Sequence, residues 1–340
     1  IRTYLLKHLK QASNEILQHG SCLGLGLAAL GYGTQSGGAQ VMLEKDEDDD
    51  DDDDDDEDED EAPEEPPTAQ GPDAALNEDN IGPSASEILT EIRNILFQDR
   101  AVPGEGAGLS LGLILCGSGN KQWYEEMLAY AHETQHEKII RGLVMGIAII
   151  FYNLQEQASY AINTLINDKD ETIRYGGCYT IGMAYAATGN TLAIAKLLHL
   201  AVSDVSNDVR RAAVTNIGFV LCNKPEQVPK VVQLLANSYN QHVRYGAAAA
   251  LGIACAGTGN NAALKILKVL AKDKVDYVRQ ASLISLGMVL MQQNKVESPE
   301  VEEIRNVYLQ GTCTDKREPT MCQMGAILGC GIIDAAGRNV

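Results

Sequence analysis

The sequence predicts an all-α protein, an α-solenoid of stacked helix-pair repeats about 35 residues long. Three observations predict this fold class. A glycine between two apolar residues recurs in register along the chain, and glycine–asparagine loops recur between apolar segments. The period-two alternation of apolar and polar residues that is typical of strands is missing. Because one helix pair cannot bury its apolar face alone, such repeats must stack on one another.

The glycine column is the strongest periodic signal. Its members are Gly26, Gly112, Gly146, Gly182, Gly218, Gly252, Gly287 and Gly331. From Gly112 to Gly287 the steps are 34, 36, 36, 34 and 35 residues, whereas the first step is 86 and the last is 44. Each glycine inside a helix costs about 1 kcal/mol relative to alanine. A column in register therefore indicates that neighbouring helices approach too closely for a larger side chain.

Two further columns keep step with the glycines. Six residues before them, seven of the eight positions hold glycine or alanine, and Ile140 is the exception. Eight residues before them, five positions are basic, namely Lys138, Arg174, Arg210, Arg244 and Arg279. The structural interpretation is that each of these side chains, near a helix start, binds acidic or carbonyl groups of an adjacent turn. The functional interpretation is a docking ladder for an acidic partner. We favour the structural interpretation.

Each repeat is predicted to contain two helices. Residues 174–186 and 244–256 form first helices, and residues 192–202 and 262–271 form second helices, because apolar residues recur there every three or four positions. The Gly-Thr-Gly-Asn loop at 257–260 separates the two helices, since glycine and asparagine favour helix ends. Short turns rich in Asp, Asn and Ser lead to the next repeat and supply side-chain caps.

These features divide the chain into three parts. Residues 1–32 are predicted to be a partial repeat, the end of a preceding unit plus a first helix. Residues 33–84 are an acidic, proline-rich insertion, and residues 85–340 hold the remaining helix pairs, truncated at the C-terminus. Because both terminal units lack a helix, we expect the chain to be a segment of a longer repeat protein.

The insertion concentrates the charge of the chain. Residues 44–61 contain 17 acidic residues and one lysine, in a chain of net charge −20. Like-charge repulsion and the scarcity of apolar residues predict a disordered surface loop. The loop is interpreted either as a solvated spacer, which we favour, or as an electrostatic lure for a basic partner such as a Lys/Arg-rich tail.

Composition excludes several classes of function. Outside residues 44–61 the chain is nearly neutral, so no basic surface is expected to hold a nucleic-acid backbone. The longest nearly unbroken apolar run, residues 142–152, is far shorter than the roughly 20 residues that a membrane-spanning helix needs. Most cysteines lie in apolar helical stretches without metal-type spacing. We therefore expect reduced thiols and a location in the cytoplasm and nucleus.

Three patterns resemble catalytic motifs, and repeat register argues against each. His132 and His136 stand in an H-E-x-x-H pattern, but this stretch aligns with the turns before first helices, not with a helix that could hold zinc. Ser110 stands in G-x-S-x-G, yet in the middle of a predicted helix. Residues 24–29 fit G-x-G-x-x-A without a preceding strand. We predict no catalytic residue, no bound metal and no cofactor.

The repeat unit and its loops resemble those of a known family. The unit small-small-x-x-x-(Leu/Ile)-Gly-apolar at this spacing, with its Gly-Thr-Gly-Asn loops, is similar to the proteasome/cyclosome repeat. The stretches that extend the resemblance are residues 134–142, 208–214, 242–247 and 326–340. The resemblance covers nearly everything outside roughly residues 33–84.

The resemblance implies a fold and a function. In this family the repeats close into a toroid of concentric helix rings, so this chain would form an arc of it. The implied function is a non-catalytic scaffold in the 19S regulatory particle of the 26S proteasome, in ubiquitin-dependent degradation. The implied partners are the ATPase ring, the lid, and the ubiquitin-receptor and deubiquitinase neighbours, so the chain would belong to a hetero-oligomer.

Two alternative functions remain open from the sequence. A HEAT-type transport or adaptor solenoid that binds basic partners is suggested by the Asp-Val-Arg-Arg-Ala-Ala-Val stretch at 208–214. In-register glycines inside the helices favour the toroid instead, because open HEAT arrays do not need such close packing. A zinc hydrolase built on His132 and His136 is the weaker alternative, because the predicted turn cannot present both imidazoles on one helix face.

Overall fold

The computed structural model describes residues 1–12, 14–35, 83–293, 298–309 and 318–335, which form helices and no strands. In chain order the helices are α1 (Arg2–Gln11), α2 (Glu15–Ala28), α3 (Tyr32–Gln35), α4 (Ala85–Leu96), α5 (Ala101–Ile114), α6 (Lys121–Glu133), α7 (Glu137–Ile150), α8 (Ser159–Ile166), α9 (Glu171–Ala184), α10 (Thr191–Ser203), α11 (Asn207–Val220), α12 (Val228–Ala236), α13 (Gln241–Ala254), α14 (Asn261–Leu270), α15 (Asp276–Val289), α16 (Glu300–Leu309) and α17 (Thr320–Ile333). A 3₁₀ turn, Gln155–Ala158, precedes α8.

The helices form two layers. Eight of them are 14 residues long and stack on one another in the order α2, α5, α7, α9, α11, α13, α15, α17. We call these the first helices. The second layer consists of α1, α4, α6, α8, α10, α12, α14 and α16, each packed mainly against the first helix that follows it in the chain. This arrangement confirms the predicted α-solenoid of helix pairs.

The loops tie neighbouring repeats together. In the Gly-Thr-Gly-Asn loop, Gly257 and Gly259 have φ angles of 68° and 60°, a left-handed conformation that glycine adopts without strain. This conformation lets the Gly257 N–H donate to the carbonyl of Met288, at the end of the next first helix (2.9 Å). The Asn260 side chain then caps α14 by accepting from the Ala262 N–H (2.9 Å). Each such loop therefore satisfies helix-end groups in two repeats at once.

One unit departs from the predicted register. In seven of the eight first helices the column glycine is residue 12 of 14, but in α7 residue 12 is Ala148, and Gly146 is residue 10. Lys138 is residue 2 of α7, so it does not belong to the column of basic residues at position 4, where α7 has Ile140. The sequence alone favoured Gly146 because it has apolar neighbours at a plausible spacing. With the corrected register, position 6 is glycine or alanine in all eight helices, since Gly142 replaces Ile140.

Parts of the predicted organisation lie outside the described residues. Most of the acidic insertion, residues 36–82, falls there, as do residues 294–297 of the extra polar stretch in the last unit. The predicted boundaries at 32, 84 and 340 stay predictions. Among the described residues, no helix has both the length and the apolar character needed to cross a membrane.

Candidate interaction scaffold

The glycine column lies where successive first helices touch. A Cβ added to Gly218 would stand 2.8 Å from Ala250 Cα, and one added to Gly252 would stand 2.6 Å from Ser285 Oγ. In both cases the contacted residue is number 10 of the next first helix. Gly26, Gly112, Gly182 and Gly287 make the same kind of contact, with Ser110, Gly146, Asn216 and Gly329 respectively. Contacts this close exclude a side chain, which accounts for glycine at position 12.

A second column of small residues faces the preceding helix. A Cβ on Gly142, at position 6 of α7, would stand 2.5 Å from the Glu105 carbonyl oxygen. The equivalent distance from Gly246 to the Arg211 oxygen is 2.8 Å. Each internal first helix thus has a small residue at position 6 toward its predecessor and one at position 12 toward its successor. This pairing lets eight helices stack at short, regular spacing.

Two of these small residues face open space. Gly331 is residue 12 of α17, and a Cβ there would have no heavy atom within 4 Å. Gly20, at position 6 of α2, is equally open. The reason is positional: among the described helices, none follows α17 or precedes α2 in the stack. Among the described residues Gly331 therefore makes no close contact, and the explanation of the column stays a prediction at this position. Gly146 does make a close contact, with the Gly108 carbonyl, but from position 10.

The arginine column binds the turns between repeats. Arg244 donates through Nε and Nη2 to both carboxylate oxygens of Asp273 (2.7 and 3.0 Å), and through Nη1 to the carbonyls of Ser238 and Tyr239. Asp273 in turn accepts from the Val275 N–H (2.9 Å) at the start of α15. The arginine therefore joins the turn before its own helix to the turn before the next one.

Arg174, in α9, repeats the arrangement of Arg244. Its guanidinium contacts both oxygens of Asp204 (2.9 and 3.2 Å) and the carbonyls of residues 168 and 169. Arg210 donates to the Asp204 carbonyl (2.5 Å), and Arg279 donates to the Asp273 carbonyl (2.9 Å) and to Cys322 Sγ. These are the contacts of the structural interpretation, and in Arg174 and Arg244 they engage all three guanidinium nitrogens that an acidic partner would need.

Burial and hydrogen bonding act in opposite directions on Asp273. Burial raises the pKa of this carboxyl group, but hydrogen bonds from Arg244 and the Val275 N–H, together with the charges of Arg244 and Arg279, outweigh it. The net pKa lies below the ordinary value. Asp273 is therefore charged at neutral pH and contributes to stability through its arginine.

The two histidines of the H-E-x-x-H pattern point to different partners. His132 lies in the last turn of α6, and its Nε2 is 2.8 Å from Asp168 Oδ2. His136 lies in the following turn, with Nε2 3.9 Å from Asp99 Oδ2. Within the described ranges no group of three or more His, Cys, Asp and Glu side chains is placed to hold a metal ion. The pattern thus spans a helix end and a turn, where it cannot form the zinc site of a metalloprotease.

A zinc assay tests this conclusion. We expect the protein, exposed to zinc and then dialysed, to retain well below one zinc ion per chain, because each imidazole is paired with a separate carboxylate. Elemental analysis by mass spectrometry measures the ratio. Stoichiometric zinc that disappears in a His136→Ala variant would contradict the conclusion.

The other two patterns lie inside helices. Ser110 is buried in α5 and donates to the Gly106 carbonyl one turn earlier (2.6 Å), so its hydroxyl is not presented to a substrate. Gly24 and Gly26 lie within α2, with no strand before them in the described part of the chain. Neither pattern has the backbone geometry on which its chemistry depends.

Sequence reasoning missed a solvent-facing stripe. Positions 5, 9 and 13 of the internal first helices stay only half-buried. Position 13 is apolar throughout, and position 5 alternates between arginine and tyrosine in α7, α9, α11 and α13. Arg141 lies over the ring of Tyr175 (5.5 Å), and Arg211 over that of Tyr245 (5.7 Å), in the geometry of cation–π contacts. The sequence shows that the residues following the glycines are apolar, but their exposure depends on the second layer covering only one side.

Comparison with known proteins agrees with the geometry. The family model for HEAT repeats matches residues 194–287, and that for the proteasome/cyclosome repeat matches residues 106–140. The 26S proteasome non-ATPase regulatory subunit 1 homolog B of Arabidopsis thaliana is 46% identical over 340 residues, which is 100% of this chain and 29% of the plant protein.

Two further relatives are also named as regulatory subunits of the 26S proteasome. The 26S proteasome non-ATPase regulatory subunit 1 of Drosophila melanogaster is 44% identical over 337 residues, 99% of this chain and 28% of that protein. The 26S proteasome regulatory subunit rpn2 of Schizosaccharomyces pombe is 48% identical over 258 residues, 76% of this chain and 27% of that protein. The chain thus spans less than a third of the length of these relatives. With its repeats, its stacked helix pairs and this level of identity, the chain belongs to the family of the 26S proteasome non-ATPase regulatory subunit 1.

Proposed function

We propose that the chain is a non-catalytic interaction scaffold in the regulatory particle of the 26S proteasome. The observation that carries the proposal is the close stacking of eight equal first helices, joined by arginine–aspartate pairs and loop hydrogen bonds. The assembly in question, the 26S proteasome, is inferred from the names of the relatives. A stiff stack of this kind holds surfaces at fixed positions, which is what a multi-subunit assembly requires of a scaffold.

The surfaces available for partners lie on both layers. The half-buried stripe of the first helices combines apolar residues with arginine and tyrosine, a composition enriched at protein interfaces. On the second layer, Leu192, Leu234 and Val269 are exposed apolar side chains. These features support binding of other proteins and offer no arrangement of acid, base and nucleophile among the described residues.

The finer proposal follows the family resemblance. We infer that the chain forms an arc of a toroid that helps to organise the base and lid of the 19S particle. Its neighbours would be the ATPase ring, lid subunits, and ubiquitin-receptor and deubiquitinase subunits, in a hetero-oligomer of the cytoplasm and nucleus. No nucleic acid, membrane or cofactor enters this proposal.

A HEAT-type adaptor for basic partners is the second candidate. The match of residues 194–287 to HEAT repeats favours it. The acidic residues 44–61, which would attract a basic partner, lie outside the described residues. The identity to proteasome subunits across the whole chain makes the scaffold the better-supported function.

A binding experiment separates the two candidates. Tagged chain is incubated at moderate salt with purified proteasome base and lid subcomplexes, and separately with nuclear-transport cargo carrying basic signals. We expect retention of base or lid subunits, and retention of the same subunits by a variant lacking residues 44–61. Binding of cargo alone, lost on that deletion, would replace the scaffold with the adaptor.

A further inference from the structure

Three lysines occupy the same position in three consecutive helices of the second layer. Lys196 in α10, Lys230 in α12 and Lys265 in α14 each stand 11 residues before the first residue of the next first helix. All three are exposed, and no ion pair among the described residues involves any of them. Because the repeats stack in register, these charges form a row across the second layer, which we call the lysine ladder.

The surface around the ladder is basic. The part that we call the basic band consists of α10, α12, α14 and their loops, namely residues 185–206, 221–240 and 255–275. It contains seven lysines and three acidic residues. Two of the acids, Asp204 and Asp273, are paired with Arg174 and Arg244 of the first helices. Glu226 is therefore the carboxylate of the band that has no ion pair among the described residues.

Acidic helices lie on either side of the band in the second layer. At the position of the ladder, α6 carries Glu126, and the first turn of α16 contains three glutamates. Lys268 of the band pairs with Glu303 of α16 (2.7 Å), which marks this edge. The nearly neutral charge of the chain outside residues 44–61 thus conceals a basic surface between two acidic ones.

An apolar cleft lies beside the ladder, between α12 and α14. Its volume is about 200 Å³, and its lining includes Ala236, Lys265, Ile266 and Val269. Leu234 and Val269 are 83% and 69% exposed, and each follows the ladder lysine of its helix by four residues. Residues four apart share one face of a helix. The ladder therefore presents ammonium groups and aliphatic side chains on the same surface.

The spacing of the ladder matches that of an extended peptide. Packed neighbouring helices lie about 8–10 Å apart. A peptide in the polyproline II conformation has three residues per turn and a rise of about 3.1 Å per residue, so every third side chain recurs on one face after about 9 Å. A segment with a carboxylate at every third residue can therefore place one beside each lysine of the ladder.

We propose that the basic band binds an acidic segment of a partner protein, with its carboxylates on the lysine ladder and an apolar side chain in the cleft between α12 and α14. Charge complementarity identifies the occupant as acidic. The cleft favours a peptide over a nucleic acid, because exposed Leu234 and Val269 gain nothing from a phosphate backbone. The band also contains no arginine, the residue that phosphate sites favour. This inference goes beyond the proposed function, since it holds in any assembly.

The test measures binding of a labelled peptide to the full chain by fluorescence anisotropy. The probe is a fluorescein-labelled peptide of five Asp-Glu-Leu repeats, and its matched control has five Asp-Glu-Ser repeats. The charge variant combines Lys230→Glu with Lys265→Glu. The control variant combines Lys7→Glu with Lys121→Glu, on α1 and α6 outside the band. All four lysines are exposed, so both variants are expected to fold, as circular dichroism will verify.

The expected pattern requires both the ladder and the cleft. The original chain and the control variant should bind the leucine peptide equally, and the charge variant at least about tenfold more weakly. Raising the salt from about 50 to about 200 mM should weaken binding by screening the charges. The serine peptide should bind more weakly than the leucine peptide, and Leu234→Ser combined with Val269→Ser should remove that difference.

Other results would overturn the proposal. Tighter binding of a fluorescein-labelled oligothymidine of the same length, lost in the charge variant, would make the band a nucleic-acid surface. A gain of more than about tenfold in peptide affinity on deletion of residues 44–61 would show that the acidic run of the chain itself occupies the band. Equal binding by the charge variant and its control would exclude the ladder, and equal affinities of the two peptides would exclude the cleft.

Discussion

The substitution Gly112→Ala is expected to lower the free energy of unfolding by about 1–3 kcal/mol. The added Cβ would stand 2.7 Å from the carbonyl carbon of Gly146 and closer still to Gly146 Cα. Both atoms are backbone, so α5 and α7 would have to move apart, and the loss of packing along the joint outweighs the gain in helix propensity. Urea denaturation followed by circular dichroism measures the change.

The same substitution at Gly331 is the matched control. Gly331 holds the same position in its helix but has no neighbour within 4 Å of an added Cβ. Gly331→Ala should therefore raise stability by up to about 1 kcal/mol through helix propensity alone. Effects of the same sign at both positions would show that close stacking does not explain the column.

Removal of the Arg244 guanidinium is expected to cost about 3 kcal/mol, because it leaves a buried carboxylate without its partner. In Arg244→Met the Asp273 carboxylate, whose side chain is only 11% exposed, loses both charge-assisted hydrogen bonds. Two turn carbonyls, those of Ser238 and Tyr239, also lose their donor. The expected result is a lower denaturation midpoint at neutral pH.

The pH dependence gives this prediction a second readout. The pKa of Asp273 is lower in the folded protein than in the unfolded chain. Its contribution is therefore present above the ordinary carboxyl pKa of about 3.9 and is lost as the pH falls through the folded value. Below about pH 4 the original chain should lose stability that Arg244→Met has already lost, and the two curves should converge.

Arg141→Met is the control for the arginine prediction. Arg141 pairs with Glu137 one turn away on the helix surface and, at 4.0 Å, with Asp208 of another repeat, and both carboxylates are exposed. Such surface pairs contribute about 0.5 kcal/mol or less. A small loss is therefore expected, including that of the contact with Tyr175. A loss as large as that of Arg244→Met would show that the joint between turns has no special role.

Much of the fold could be predicted from local patterns. The helix pairs, the loops that separate them and the recurrence of glycine inside apolar helices all follow from residue spacing. Predicted elements differ from the observed ones by a few residues; for example, the first helix expected at 174–186 runs from Glu171 to Ala184. The family resemblance, which was based on the same columns, is confirmed by the relatives.

The candidate site was less accessible to sequence reasoning. Gly146 and Lys138 fitted the spacing, yet they occupy other positions in α7, because the length of the repeat varies there. The aspartates that pair with Arg174 and Arg244 lie one repeat further along the chain, at a turn that becomes adjacent only when repeats stack. The spacing of residues along the sequence therefore does not identify these aspartates as the partners of the two arginines.

Sequence by itself determined the class of the fold and the family, because the helix period, the helix ends and the small-residue columns depend on residues that are close together along the chain. Tertiary structure alone decided which small residue meets which neighbour, which apolar rows remain facing solvent, and that Gly20 and Gly331 meet nothing among the described residues. The physical reason is that a contact between repeats depends on the rotation and rise from one helix to the next, which the intervening turns set and a single repeat does not encode.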